Sequence, residues 1–175
     1  MSVAPLSFVL TVIGDDRPGL VEQLSTAISS HGGNWLDSSF SRLAGKFAGI
    51  LRVEVPAAQA EELKATLANL TPLKVVVETA GDNAETSRNR SLTLTLVGQD
   101  RIGIVREVSQ VLARMGVNVE DLSTHTASAP MSAATLFHAR AKLQAAAGLD
   151  AGALRQELER LSDDLVVELE ETVVV

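Results

Sequence analysis

Residues 14–21 read Gly-Asp-Asp-Arg-Pro-Gly-Leu-Val, and residues 98–105 read Gly-Gln-Asp-Arg-Ile-Gly-Ile-Val. The offset between the two stretches is 84 residues (98 − 14), and it continues on both sides of them. The residues that keep this offset are apolar, glycine, asparagine or aspartate: Phe8 and Leu92, Leu10 and Leu94, Val12 and Leu96, Leu24 and Val108, Gly32 and Gly116, Asn34 and Asn118, Asp37 and Asp121. Chance does not keep so many residue types in register, so the sequence indicates an internal duplication.

Each copy has the hydrophobic pattern of a small module that contains both strands and helices. In the first copy, period-two alternation over residues 7–13 predicts a half-buried strand. Apolar residues over 20–28 recur at helical spacing and predict an amphipathic helix. The other predicted elements are two strands, a second helix and a last β-branched strand: 34–43, 46–55, the helix of Leu63, Leu67 and Leu70, and 75–77 in copy one; 117–127, 133–143, the helix of Leu154, Leu158 and Leu161, and 165–167 in copy two.

This order, β-α-β-β-α-β read twice, is the ferredoxin-like arrangement. We therefore expect an α+β fold of two modules, each a four-stranded antiparallel sheet with both helices on one face. The polar, aperiodic stretch 81–90 predicts a linker between a first module over 1–80 and a second over 91–175. At the second helix the offset has grown to 91 (154 − 63), so copy two carries seven extra residues, expected around 128–131 and 144–149.

The composition argues against several classes of function. The net charge is −7 and no Lys/Arg cluster is present, so direct nucleic-acid binding is not expected. The chain has no cysteine, and its three histidines lack metal-ligand spacing. Because no nucleophile–base constellation is visible either, we expect no enzyme activity, metal or other cofactor. No apolar run approaches the roughly 18 residues of a membrane span, and no leader pattern opens the chain, so the expected location is the cytoplasm.

The repeated turn between strand and helix carries the candidate ligand residues. Asp16 and Asp100 stand just before the helices, where a carboxylate can cap exposed N–H groups. Arg17 and Arg101 are not needed for capping, so their recurrence favours an anionic ligand or a partner. The N–H groups at a helix start also attract a carboxylate such as that of an amino acid. A well-capped turn that binds nothing remains an equal alternative.

The glycines of this turn suggest two different roles. Gly14 and Gly98 fall at the strand end, where the chain is expected to turn sharply. Gly19 and Gly103 would let another backbone or a ligand approach closely.

Asn34 and Asn118 open the second strand of each copy. They are either turn residues that tolerate unusual dihedral angles or side-chain amides that offer a donor and an acceptor to a bound amino acid.

The segment strand–Gly-x-Asp-Arg-x-Gly–helix, followed by Gly-x-Asn, resembles the ACT domain over residues 6–80 and 90–172. A chain made of two such modules resembles the glycine cleavage system transcriptional repressor family. The resemblance implies a ligand at the interface between two modules, held by the turn of one and the second-strand start of the other. It implicates these residues: Asp16, Arg17, Gly19, Leu20, Asn34, Asp100, Arg101, Gly103, Ile104 and Asn118. Gln99 replaces Asp15 and Ile102 replaces Pro18, so the half-sites are inequivalent, and occupancy of one or both stays open.

The leading hypothesis is a non-catalytic regulatory protein that responds to a small amino acid. By resemblance the ligand would be glycine, and the chain would repress transcription of the glycine cleavage system. Because the chain is acidic, it would act through a protein partner such as a transcriptional activator rather than on DNA directly. The alternatives are a regulatory subunit or an interaction scaffold for a metabolic enzyme. A homodimer formed through edge strands or the apolar tail 173–175 also stays open.

Overall fold

The computed structural model describes residues 4–81 and 89–172 of the chain. The chain divides into two compact units, Met1–Asn83 and Ala84–Val175. Within the described ranges, no helix is long and apolar enough to cross a membrane.

The first unit is an antiparallel sheet with two helices. Its elements in chain order are β1 (Leu6–Asp15), α1 (Leu20–Ser30), β2 (Asn34–Leu43), β3 (Lys46–Val55), a 3₁₀ turn (Ala57–Gln59), α2 (Ala60–Ala68) and β4 (Lys74–Thr79). The sheet order is β2-β3-β1-β4, and every neighbouring pair is antiparallel. Alternate residues of β1, namely Phe8, Leu10 and Val12, are buried in one cluster with apolar residues of β3, α1 and α2. The period-two pattern therefore buries one face of the sheet beneath both helices.

The second unit repeats this architecture. Its elements are β5 (Asn89–Gln99), α3 (Ile104–Arg114), β6 (Asn118–Ser128), β7 (Thr135–Ala146), α4 (Ala151–Glu159) and β8 (Val166–Glu171). The antiparallel sheet has the order β6-β7-β5-β8. Leu92, Leu94 and Leu96 of β5 lie in the buried cluster at the positions of the three core residues of β1. The expected α+β fold of two ferredoxin-like modules is confirmed.

The extra residues of the second copy lie mainly in one hairpin. In the sheet, Leu10 pairs with Leu51 while its counterpart Leu94 pairs with Ala141, so β7 is offset by 90 residues (141 − 51). Six of the seven additional residues (90 − 84) therefore precede Ala141 in the chain. They lie in the β6–β7 hairpin, whose turn is longer than the turn between β2 and β3. The seventh lies between there and α4, which is offset by 91 (151 − 60). Both locations agree with the expectation.

Two boundary predictions need correction. Leu70 and Leu161 were expected on the second helices, but α2 ends at Ala68 and α4 ends at Glu159. Pro72 follows Leu70 closely and disfavours helical geometry at the residue before it, yet both leucines still pack on their cores. The expected linker 81–90 also overlaps β5, which begins at Asn89, and its residues 82–88 lie outside the described ranges.

Candidate functional site

We call residues 14–20, which join β1 to α1, the first corner, and residues 98–104 the second corner. Gly19 and Gly103 occupy the N-cap positions of α1 and α3 with φ of 90° and 93°. Among the residues that the structure describes, no atom lies within 4 Å of the position that a Cβ would take at either glycine. The left-handed backbone explains these glycines, because side-chain-bearing residues rarely adopt it. The open space leaves room for a ligand at either glycine, and its approach stays a prediction.

Gly14 and Gly98 serve packing rather than a turn. Both lie inside strands, paired with Phe47 and Phe137 in the sheet ladders. A Cβ at Gly14 would lie 2.8 Å from Leu73 Cδ2, and one at Gly98 would lie 2.7 Å from Leu165 Cδ1. The expectation of a sharp turn at these residues is therefore wrong: each glycine makes room for a leucine that packs beside the end of the strand.

In the first corner, the acidic residues bind the neighbouring hairpin instead of capping α1. Asp16 Oδ2 lies 3.1 Å from Arg42 Nε, and the Asp16 N–H donates to the Gly45 carbonyl at 2.9 Å. Asp15 accepts a hydrogen bond from Lys46, and this bond together with the lysine's charge lowers the pKa of Asp15. No side chain within residues 4–81 and 89–172 caps α1. The expected capping role of Asp16 is wrong because the strand pairing brings Arg42 of β2 within its reach.

A cleft of about 340 Å³ opens at the first corner. It is lined by these residues: Asp16, Arg17, Gly19, Leu20, Val21, Glu22 and Phe47. Four of the predicted ligand residues thus lie around one cleft. Arg17 is exposed, while Leu20 is 3% exposed and belongs to the core.

In the second corner, the arginine is bound within its own unit. Arg101 donates from Nη1 to Glu107 Oε1 at 2.9 Å and from Nη2 to Glu107 Oε2. This paired bond raises the pKa of Arg101 and lowers the pKa of Glu107. Ile104, the counterpart of Leu20, is buried.

Asp100 and Asp164 set the remaining acidic character of the second corner. The Asp100 N–H donates to the Thr135 carbonyl at 2.9 Å, and no side chain in the described part of the chain caps α3. The expected capping role of Asp100 is therefore also wrong. The Gln99 N–H donates to Asp164 Oδ2 at 2.7 Å. Hydrogen bonds from Ser162 and Gln99 lower the pKa of Asp164.

Asn34 and Asn118 lie far from the corners of their own units. Asn34 pairs with Glu54, which pairs with Ser7 of β1, whereas the opposite end of β1, at Asp15, lies in the first corner. The eight-residue separation (15 − 7) corresponds to about 26 Å of strand. Asn118 pairs with Gln144 at the corresponding end of the second sheet. Within one unit, the structure does not bring these asparagines together with the corner residues.

The sequence reasoning missed the residues that control the charge of the corners. Arg42 and Lys46 reach the first corner from the hairpin, and Glu107 reaches Arg101 from α3. The sequence does contain a signal for Glu107. Its position in the first copy is occupied by the neutral Gln23, so the two copies differ in charge there. Comparing the two copies could not have shown the strand pairing that brings Arg42 close to Asp16.

The histidines show no metal centre in the part of the chain that the structure describes, where no group of three or more candidate ligands occurs. His31 Nδ1 lies 2.7 Å from the Ala27 carbonyl near the end of α1, as expected for a residue that satisfies a helix C-terminus. His125 and His138 are cross-strand neighbours whose rings stack 4.7 Å apart.

Comparison with known proteins establishes the family. The family model for the ACT domain matches residues 7–75 and 90–172, which is most of the chain. The chain belongs to the ACT domain family and contains two copies of the domain.

Several known proteins are similar to this chain. The crystal structure of an unknown protein from Galdieria sulphuraria is 30% identical, covers 97% of this chain and 99% of that one, and superposes with a TM-score of 0.86. A protein described as a glycine cleavage system transcriptional repressor is 18% identical, with 96% and 98% coverage and a TM-score of 0.69, which shows a shared fold. UPF0237 proteins of Methanosarcina mazei and Methanosarcina acetivorans are each 39% identical over 49 residues, 28% of this chain. The chain spans about half the length of these curated relatives, 53% in each case.

Proposed function

We propose that the chain is a non-catalytic regulatory protein that binds a small amino acid at a turn between a strand and a helix. The observation that carries the proposal is the cleft of the first corner, which the exposed Arg17 lines together with Gly19 and Leu20 at the start of α1. A guanidinium matches the geometry of a carboxylate, which every amino acid presents. The cleft volume of about 340 Å³ lies at the small end of the range for ligand pockets. Membership of the ACT domain family supports the same role.

We further propose that the protein represses transcription of the glycine cleavage system, with glycine as its ligand. The two-domain architecture is shared along nearly the whole chain with the protein described as such a repressor, and the transfer of its role is our proposal. The net charge of −7 favours a protein partner such as a transcriptional activator over direct contact with DNA. A ligand can regulate such a partner only if it binds two states of the chain with different affinity. We place this activity in the cytoplasm.

Calorimetric titration of the full chain with glycine, L-alanine and L-serine tests the ligand. We expect saturable binding of at least one of them, with glycine the tightest. Absence of binding by all three at millimolar concentration would remove the amino-acid response from the proposal. D-Glucose, which has no carboxylate, is the control ligand and should give no heat of binding.

Deletion of the gene tests the regulatory role. We expect transcripts of the glycine cleavage genes to rise in the deletion strain, and purified chain to leave the promoter DNA unshifted on a gel. Unchanged transcripts would refute the repressor role, and a direct shift of the DNA would refute the protein-mediated mechanism.

A second candidate function is a regulatory subunit or interaction scaffold for a metabolic enzyme, and the edge strand β6 favours it. All residues of β6 are exposed, among them Val119 at 39% and Leu122 at 54%. An edge strand with exposed apolar side chains is suited to pairing with another chain. Co-purification from native extract separates an enzyme partner from a transcription factor, and light scattering of the purified chain tests for a homodimer.

A further inference from the structure

The two corner arginines, Arg17 and Arg101, differ in whether an acidic side chain of the same unit forms an ion pair with them. Arg101 is held by both oxygens of Glu107, and its side chain is 36% exposed. The position of Glu107 is taken in the first unit by Gln23, which carries no charge. Gln23 Oε1 is buried and accepts no hydrogen bond from any described residue. Among residues 4–81 and 89–172, Arg17 has no ion-pair partner, so its guanidinium remains available to a carboxylate from solution.

The residues that precede Gln23 and Glu107 also differ in charge between the two units. Glu22 lines the cleft of the first corner together with Arg17. Its counterpart in the second unit is Arg106, an exposed residue on α3. One cleft of the first unit therefore presents both a cation and an anion, the two charges needed to bind a zwitterion. At the second corner an ammonium group would meet Arg106 instead.

The other charges of the two corners reinforce this difference. Asp15 and Asp16 of the first corner are neutralised by Lys46 and Arg42. At the second corner Asp164 lies near Arg101, where its charge adds to that of Glu107. Asp100 makes no ion pair within the described part of the chain. An incoming carboxylate would thus be repelled at the second corner by Asp100, which has no counter-ion among the described residues, whereas Asp15 and Asp16 of the first corner are each paired with a basic side chain.

We infer that the first corner alone binds the amino acid, with Arg17 holding the carboxylate and Glu22 the ammonium group, and that Glu107 closes the second corner by occupying Arg101. The inference rests on the proposed function and specifies its site. The ligand class is a small α-amino acid, glycine by the proposed function, whose α-carbon can lie against the ring of Phe47, the apolar wall of the cleft. Gln23 and Glu107 are then the positions that determine which copy is open.

Exchanging the residue pairs between copies tests the inference. The first variant, Glu22→Arg with Gln23→Glu, gives the first unit the charges of the second. The second variant, Arg106→Glu with Glu107→Gln, does the reverse, and the two variants combined leave the net charge unchanged. We expect one glycine per wild-type chain, at least about tenfold weaker binding in the first variant, and a second glycine site in the second variant. The combined variant should bind one glycine, at the second corner.

Glu62→Arg is the matched control. Like Glu22, Glu62 lies in the first turn of a helix of the first unit, but it does not line the cleft. It should bind glycine as the wild type does, and circular dichroism should show that all variants are folded. If the first variant binds glycine as tightly as the control, the inference is overturned.

The arginine Nε–Hε signals in NMR distinguish a wrong assignment of the binding site from a wrong assignment of the ligand. On titration with glycine, the Arg17 signal should shift and the Arg101 signal should not. If glycine does not bind, acetate supplies the carboxylate alone: a shift confined to Arg17 then supports the open first corner while refuting the proposed amino-acid ligand. Shifts of both arginines, of Arg101 alone, or of neither with acetate overturn the inference.

Discussion

The first and second corners share a backbone but differ in their charge partners. Both contain a glycine in the left-handed region before the helix and an arginine two residues earlier. In the first corner the aspartates bind the β2–β3 hairpin and leave Arg17 exposed, whereas in the second Glu107 binds the arginine. Exposed ion pairs contribute little to folding, so charge partners can change after a duplication while the backbone requirement persists. The duplicated fold therefore does not require duplicated function.

The largest expected effect tests whether the two units are supported by separate cores. Leu63 and Leu154 occupy equivalent positions on α2 and α4, and both are completely buried. Replacing either by alanine should destabilise its unit by about 2–5 kcal/mol through lost burial and a residual cavity. Hydrogen exchange monitored by mass spectrometry should show lost protection confined to the unit that carries the substitution.

The control for this pair is Leu43→Ala. Leu43 is 78% exposed at the end of β2, so its replacement should change stability by less than about 0.5 kcal/mol. Equal loss of protection in both units after Leu63→Ala would contradict the comparison, because it would mean that the two cores unfold as one.

The contrast between cores and corners also explains what the sequence could predict. Core residues such as Leu10 and Leu94 follow the periods of strands and helices, which are visible along the chain. The contact between Asp16 and Arg42 is different, since the residues are 26 positions apart (42 − 16) and meet only through strand pairing. Local rules predicted a cap for Asp16, and the tertiary contact replaced it. The candidate residues around the first cleft were found because they are consecutive, whereas Asn34 lies at the other end of the sheet.

An intermediate effect is expected where the two corners are alike. Gly19→Ala and Gly103→Ala should each destabilise the protein by about 1–2 kcal/mol, because alanine is strained at the φ values near 90°. No described residue occupies the space beside either glycine, so the cost should be conformational and smaller for asparagine, which tolerates this region better. Urea denaturation of the alanine and asparagine variants measures the difference.

Gly148→Ala serves as the control for these substitutions. Gly148 also has empty space around it, but its φ is not among the positive values. It should therefore be nearly neutral. A cost at only one of the two corner glycines would show that the corners do not share their backbone requirement.

The smallest expected effect is a pH dependence that belongs to the second corner. The hydrogen bonds from Arg101 hold the pKa of Glu107 below its ordinary value of 4.5. Because the folded-state pKa is depressed, the pair contributes stability above pH 4.5, and this contribution is lost as the pH falls through the folded-state pKa. Carbon-13 NMR of the Glu107 carboxyl group should give a midpoint below 4.5 in the wild type and a higher one in Arg101→Gln.

An equivalent ion pair introduced into the first unit tests whether the lowered glutamate pKa follows from the ion pair itself. In Gln23→Glu, the new carboxylate stands six residues after Arg17, as Glu107 stands six after Arg101. If the corners share their backbone, the introduced carboxyl should also titrate below the ordinary glutamate value, and Arg17→Gln should reverse that shift. If Arg17→Gln leaves the pKa of the carboxyl group at position 23 unchanged, the two arginines point differently. The corners would then differ in geometry as well as in charge.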